Sequence, residues 1–465
     1  MNLNSHLQHA ADALALAAAG ELDRAPGAID RAKIAIENLV ANDQRFGDAG
    51  AVPITCTDVD DAANCDLAVR FLTELPANDS DPIPTTSPPE TTNDADARFV
   101  EVIVDPQNFT TLFPATFVGA VSNTAATDAV AVAGFDAAVC KFTPMFICNP
   151  YEGTGTDIYT AVDSRADRRK QIAMRRIGGG GSDEGSAAYY PGNFGFLQMG
   201  GPGANTLIDA LAVDSPNACF IKNGVTLKTG AIASVGQGIN TRFAIYGGSF
   251  NSKKNDAKYR PAQNVRKGYD GNTCSSGQQS PPVHMLPRDN CFAGSSCPAV
   301  PPNGNTNRIG DGMWDYEGYM SLYGGTGVGP TDELGNAFSN TNPPTRYEVY
   351  RHEIANPWML STISLTGEDG NPDCGATPSE PPDRRVFYGA LLNCMALDAD
   401  PNYGPLQGAS NPDLPVEAFA SFFFTEPVEQ GGGSTGEMTI WAEIIDVVEP
   451  GNNRSVARDL VQLYR

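Results

Sequence analysis

The sequence predicts an α+β chain in two parts: an N-terminal helix over an antiparallel sheet within residues 1–138, and a larger, strand-rich, disulfide-bearing domain over 139–465. Three observations predict it. The opening residues repeat Leu and Ala at helical spacing, the segments after residue 50 alternate apolar and polar positions as strands do, and from Cys140 the composition turns aromatic, Gly-rich and Pro-rich. A length of 465 residues also exceeds what one hydrophobic core organises, so more than one domain is expected.

Residues 3–22, LNSHLQHAADALALAAAGEL, place Leu3, Leu7, Leu14 and Ala18 at helical spacing. A second helix follows, with Pro26 in its first turn and Ile29, Ala32, Ile36, Leu39 and Val40 as an apolar stripe. The pair reads as one bent helix or a helical hairpin. VPITC (52–56), LAVRFLTEL (67–75) and RFVEVIV (98–104) read as strands, the last with Val100, Val102 and Val104 on one face. Residues 76–97, polar and rich in Pro and Thr, read as an exposed loop, and ATDAVAVAGF (126–135) as a buried strand. One helix covering one sheet face gives a layered domain.

In the second part, basic residues cluster only in RADRRKQIAMRR (165–176), which reads as a solvated helix or arm ending at the flexible GGGGS of 178–182. RRVFYGALLNCMAL (384–397), VEAFASFFFTEPV (416–428) and GEMTIWAEIIDVV (436–448) read as long strands of a second sheet. No fixed-period repeat is present.

Asp and Glu number 55 against 31 Lys and Arg, a formal net charge of −24. That balance disfavours phosphate backbones and anionic lipid, and removes nucleic acid as a partner. It fits an exported protein kept in solution by its negative surface. No apolar run reaches the ~18 residues of a membrane helix, so as given the chain reads as soluble. No basic segment followed by an apolar one stands at Met1, so export is expected from cysteine usage rather than from a visible leader.

Cys56, Cys65, Cys140, Cys148, Cys219, Cys274, Cys291, Cys297, Cys374 and Cys394 are an even set with no CxxC, which excludes zinc ribbons, c-type haem attachment and thioredoxin motifs. Short local separations beside Pro, Gly and Asn fit disulfides made in an oxidising compartment. The expected neighbours are Cys56 with Cys65, Cys140 with Cys148, Cys291 with Cys297 and Cys374 with Cys394, leaving Cys219 with Cys274.

The opening LQHAADALALAAAGEL resembles the segment that follows the membrane helix in TadE/TadG-like proteins of tight-adherence pilus assembly. It is joined, in order, by RFLTELP (70–76), DARFVEVIV (96–104), TLFP (111–114), AVAGF (131–135), CKFTPMFICNP (140–150), GINTRF (238–243), RRVFYGALLNC (384–394) and FFFTEPV (422–428). The resemblance implies a pilin-like N-terminal head and a component anchored in the inner membrane or displayed beyond it, helping to build Flp-type adhesion pili. It carries over no catalytic residue. The anchor it implies is expected upstream of Leu3, where this sequence has only Met1 and Asn2. Some relatives of this type carry a metal-binding DxSxS, which this sequence lacks.

The remaining motifs weigh against catalysis. FGFLQMGGPGANTLIDALA (194–212) runs strand, Gly-rich turn, helix, yet has neither GxGxxG nor GK[ST], so a crossover turn explains Gly200, Gly201 and Gly203. GGSTG (432–436) matches GxSxG but lies between strands with no His downstream of His352. His352-Glu353 begins an HExxH-like string whose second His is replaced by Asn356. With only His6, His9, His284 and His352 in the chain, histidine chemistry has little material. DVDD (58–61), EDGNPDCG (368–375) and DADPN (398–402) offer hard oxygen ligands for calcium, though the same residues build ordinary turns. Trp314, Tyr316, Tyr319 and Tyr323 are either a sugar-stacking platform or core packing, and core or interface is the expectation.

The sequence therefore reads as a non-enzymatic, extracellular or cell-surface component of a pilus or filament without a cofactor, calcium being the one ion considered. Its first helix, through Leu3, Leu7, Leu14 and Ala18, is expected to dock pilin-like subunits or a second copy. The competing expectation is a soluble extracellular adhesin or glycan-binding module.

Overall fold

A computed structural model describes residues 3–22, 27–41, 54–76, 81–94, 96–110, 124–140, 142–177, 193–199, 204–213, 219–221, 224–229, 234–266, 284–294, 297–298, 308–362, 368, 372–373, 375–380, 383–404, 406, 414–428, 438–448 and 457–464. The fold combines helices with antiparallel and mixed sheets in an α+β arrangement. The chain forms two compact units, Met1–Ala138 with Arg458–Arg465, and Val139–Ala457.

The first unit opens with α1 (Leu3–Ala19) and α2 (Ala28–Val40), followed by β1 (Leu67–Leu72), β2 (Phe99–Thr110) and β3 (Thr124–Cys140). Of VPITC, the described residues 54–56 form no named strand; Cys56 makes an isolated bridge to Cys65 across the turn around DVDD. β1, β2 and β3 pair antiparallel, with Leu67 opposite Val104, and Phe99 opposite Gly134. The β2–β3 register shifts between Val104 and Gln107, where Pro106 lacks the N–H a continuous ladder needs.

Val100, Val102 and Val104 project from one face of β2 and are fully buried with Ala129, Ala131 and Ala133 of β3. Against them lie Leu7, Ala11, Leu14, Ala15 and Ala18 of α1, with Ile29, Ala32 and Ile36 of α2 in the same cluster. Alanine leaves no side-chain bulk beyond Cβ, so the helix can approach the sheet closely. α2 begins at Gly27, whose φ of 81° suits glycine. Asp94, far along the chain, accepts from the N–H groups of Gly27 (2.8 Å) and Ile29 (2.9 Å) and caps the helix. Those bonds hold the Asp94 carboxyl below the usual carboxylate range.

The second unit runs β4 (Phe146–Cys148), α3 (Ile158–Asp163), α4 (Arg165–Arg168), β5 (Gln171–Ile177), β6 (Asn193–Leu197), α5 (Ala204–Ala212), β7 (Cys219–Ile221), β8 (Leu227–Thr229) and α6 (Val235–Asn240). It continues with α7 (Asn290–Ala293), α8 (Tyr316–Ser321), α9 (Arg346–Ala355), α10 (Trp358–Thr362), β9 (Val386–Leu392), α11 (Cys394–Ala399), β10 (Ala418–Phe424) and β11 (Met438–Val447). Its main sheet has the order β4-β9-β10-β11-β5, with β4 parallel to β9 and the other pairs antiparallel. Phe422 and Phe424 of β10 pack into one core with Ile147, Phe387 and Ile440, while Phe423 enters a second with Trp314 and Tyr350. A strand covered on both faces reads as an unbroken apolar run, which is why SFFFTEP shows no alternation.

Two expectations change. The basic stretch 165–176 is not a solvated arm: it forms α4 and then β5, the strand beside β11. Ile172 and Met174 alternate into the core, and Arg165 pairs with Glu348 at 3.1 Å, so the charges line a strand's surroundings instead of an exposed helix. The division at 138 also misplaces the last strand, because β12 (Ala457–Leu463) joins the first unit's sheet beside β3.

Leu14→Ala removes a fully buried side chain at the helix–sheet contact and is expected to lower unfolding free energy by about 2–5 kcal/mol. Ile34→Ala on α2, where Ile34 is 53% exposed, should change it by less than about 0.5 kcal/mol. Denaturant titration of both variants against the parent chain reads the difference.

Candidate functional site

The residues offered as the assembly helix are turned inward. Leu7, Leu14 and Ala18 are buried against the unit's own strands, and the side chain of Leu3 lies outside those described. This corrects the expectation that the Leu/Ala stripe docks a partner: a helix with one apolar face and an apolar sheet in the same chain buries the one on the other. The face of α1 left to solvent carries His6 and His9, with Gln8 donating to the Val130 carbonyl at 2.9 Å.

Among the described residues every cysteine is paired. Cys56 joins Cys65, and Cys291 joins Cys297. Cys148 joins Cys394, so neither Cys140 with Cys148 nor Cys374 with Cys394 forms. The reason is topological: β4 lies parallel to β9 with Cys148 opposite Leu392, and Cys394 follows two residues on, although 246 positions separate the partners. The side chains of Cys140 and Cys219, and all of Cys274 and Cys374, lie outside the described residues.

Cys148, Glu152 and Cys394 sit close enough to suggest a metal cluster. The two sulfurs are bonded to each other, and the Glu152 oxygens accept from the N–H groups of Cys394 and Met395, both at 2.8 Å, at the start of α11. That is helix capping. The acidic loops considered for calcium use their oxygens the same way. Asp58 accepts from Asp60 N, Asp61 from Ala63 N, Asp373 from Gly375 N, and Asp398 from Leu406 N.

Trp314, Tyr316, Tyr319 and Tyr323 are buried in a core cluster, with Trp314 donating to the Pro344 carbonyl at 3.0 Å. Their faces are covered, which removes them as a sugar platform. GGSTG and the turn 200–203 lie outside the described residues, while β6 and α5 flank that turn as expected.

His352 and Glu353 separate. His352 Nε2 meets the Val328 carbonyl at 2.8 Å near the surface, whereas Glu353 is completely buried. Around Glu353 gather Arg266 (2.7 Å), Asn264 (3.0 Å), Tyr319 (2.5 Å) and Tyr323 (3.2 Å), all donating to its carboxylate. His284 stacks on Tyr319 with ring centroids 4.3 Å apart, and its Nε2 has no hydrogen-bond partner among the described residues. Burial, with the Arg266 charge facing it, pushes the His284 ring down to about 3. Burial also holds the Tyr319 phenol well above its ordinary value.

A second cluster centres on Arg346 at the start of α9. Its guanidinium donates to Asp289 (2.7 Å), Glu443 of β11 (2.6 Å) and the Pro287 carbonyl (2.7 Å), and it lies 4.9 Å from the Trp314 ring centre. Two carboxylates share the one buried guanidinium, and Arg169 also acts on Asp289. Burial, opposed by Arg346 and reinforced by Asp289, pushes the Glu443 carboxyl up to about 7. Two further arginines close the end of α5: Arg242 donates to the carbonyls of Leu211 (3.0 Å) and Val213 (2.8 Å), and Arg384 to that of Ala212 (2.7 Å).

This charged interior escaped the sequence reading. Its signals were Glu443 inside TIWAEIIDVV and Arg384-Arg385 at the head of VFYGALL, charges interrupting segments otherwise apolar enough to be buried. Chemically the clusters join segments far apart in the chain. Each carboxylate already faces a cation or several donors, and removing one partner from such a pair costs about 3–5 kcal/mol.

No protein-family model matches the chain, and no curated protein or solved structure does. The chemistry of its own residues carries the functional reading.

Replacing Cys148 and Cys394 together by Ser should destabilise the chain more than replacing Cys56 and Cys65. Chain entropy assigns about 5 kcal/mol to the bridge spanning 246 positions and about 2–3 kcal/mol to the one spanning 9. Thermal unfolding of the two double variants measures it. His284 binds its proton more readily unfolded, at about 6.5, than folded, at about 3. It therefore contributes stability above pH 6.5 that is lost as pH falls toward 3, at up to about 1.4 kcal/mol per unit. Glu443 acts oppositely, its contribution present below about 4.5 and lost as pH rises through 7. His284→Phe keeps a ring on Tyr319, so the difference between variant and parent unfolding curves over pH 3–6.5 isolates the histidine, and the variant should show the shallower acid loss.

Proposed function

We propose that this chain is a structural component of an extracellular surface assembly, of the tight-adherence pilus type its sequence resembles, associating with pilin-like subunits or with itself, and that it is not an enzyme. One observation carries the reading. The ionisable residues of the second unit with the greatest chemical potential, Glu353, Asp289, Glu443, Arg266, Arg346 and Arg385, are buried and cross-link distant parts of the chain. An active site presents such groups to substrate; here they face one another.

One feature supports placement outside the cytoplasm: among the described residues the cysteines are paired in disulfides. The helix-over-sheet layout of the first unit agrees with the pilin-like head the resemblance implies. Docking uses a surface other than the Leu/Ala stripe, which the unit's own sheet already covers. The adhesin alternative loses its aromatic platform, because Trp314, Tyr316, Tyr319 and Tyr323 are in the core.

Purified, oxidised protein examined by electron microscopy and light scattering tests the proposal. Filaments, regular oligomers or co-purifying pilin-like subunits are the expected result, and monodisperse particles that bind glycan would contradict it.

A further inference from the structure

β12 reaches the edge of β3 only after the chain has passed through the whole second unit. Its attachment is specific. The Tyr464 N–H donates to the Val132 carbonyl at 2.8 Å, and Val461 and Leu463 pack on the helix-covered core that contains Leu14 and Val102. On the opposite face the Tyr464 ring stands edge-on to Phe99, centroids 5.2 Å apart. Gly134 makes that fit possible: a Cβ there would come within 2.5 Å of the Phe99 ring and 2.9 Å of the Tyr464 ring. Residues 1–138 thus form a socket shaped for an aromatic plug.

The other side of the sheet is closed differently. Residues 89–91 run along β1, with Thr73 N–H donating to the Pro89 carbonyl at 2.8 Å and Thr91 N–H to the Phe71 carbonyl at 2.9 Å. A local segment therefore covers the end of β1, whereas β3 pairs beyond β2 with β7 and with β12, the strand from the far end of the sequence. The chain leading into β12, VEPGNNRSV at 448–456, is rich in turn formers.

No cysteine lies within 457–464, so plug and socket are joined by non-covalent contacts. The same contacts form whether β12 comes from its own chain or from another, and the tether decides between them. We infer that in the assembled state the socket beside β3 receives residues 457–464 of a second copy of this chain. Each copy carries one plug and one socket, so a reciprocal exchange closes a two-fold dimer, whereas a one-way exchange is head-to-tail and extends into a filament where the rotation does not close a ring. This deepens the assembly reading and rests on it.

A photoreactive benzophenone amino acid placed at Tyr464 of the full-length, oxidised chain tests the exchange. Heavy-isotope and light preparations are mixed in equal amounts, assembled, irradiated and digested, and crosslinks to the Phe99 and Gly134 peptides are read by mass spectrometry. Exchange predicts mixed heavy–light crosslinks in the statistical proportion within the assembled fraction. Assemblies seen by light scattering in which every such crosslink is heavy–heavy or light–light overturn this inference and leave the assembly reading standing. An absence of both assemblies and mixed crosslinks overturns the two together. The same probe at Gln462, whose side chain is exposed, provides a second variant should the Tyr464 replacement not fold.

Discussion

A guanidinium buried among aromatic rings must be matched by carboxylates, and the second unit is organised around that requirement at Arg346. Asp289 and Glu443 face it from two separate segments, the Pro287 carbonyl takes a third donor, and Trp314 lies close by. Three pieces of chain are fixed to one another at a single point. The same logic repeats at Glu353, where Arg266, Asn264, Tyr319 and Tyr323 converge, and at Arg385, which donates to the carbonyls of Phe424 and Thr425 and to Glu368. Desolvated charge is unfavourable when a partner is lost, so these contacts bind loop-rich chain into a defined arrangement. Such a use of arginine and carboxylate suits a part whose task is to keep its shape.

The first unit solves a different problem by apolar means. Its two helices present Leu, Ile and Ala to a valine- and alanine-faced sheet, and the polar ends are tied by residues distant in sequence, Asp94 at α2 and the Arg70–Glu101 pair on β1 and β2. The outcome constrains function directly. The Leu/Ala stripe expected to join subunits holds the first unit together instead, so the proposed assembly would have to use other surfaces, β12 among them.

Local pattern was legible wherever one residue type repeated with one period. The helices Leu3–Ala19 and Ala28–Val40 and the alternating valines of Phe99–Thr110 follow from spacing, and the strands around Val386–Leu392, Ala418–Phe424 and Met438–Val447 from their apolar runs. What spacing could not supply was anything decided by topology. Cys148 finds Cys394 because β4 lies beside β9, and β12 finds β3 across the full second unit. The basic stretch misled because charge outweighed the alternation of Ile172 and Met174 that makes β5 a strand. The buried arginine clusters were illegible for a related reason: a charged residue in an apolar run looks like a break until its partner elsewhere in the chain is known, as with Glu443 and Arg346, 97 positions apart.

The account stands on the buried ion clusters being permanent cross-links rather than groups that open to meet a substrate. Hydrogen–deuterium exchange across α9 and β11, which carry Arg346, Glu353 and Glu443, measures this directly. Permanent cross-links predict that these amides exchange only through global unfolding, with free energies equal to that of the whole unit. Exchange at rates typical of surface loops, showing that Glu353 and Glu443 are regularly uncovered, would contradict it.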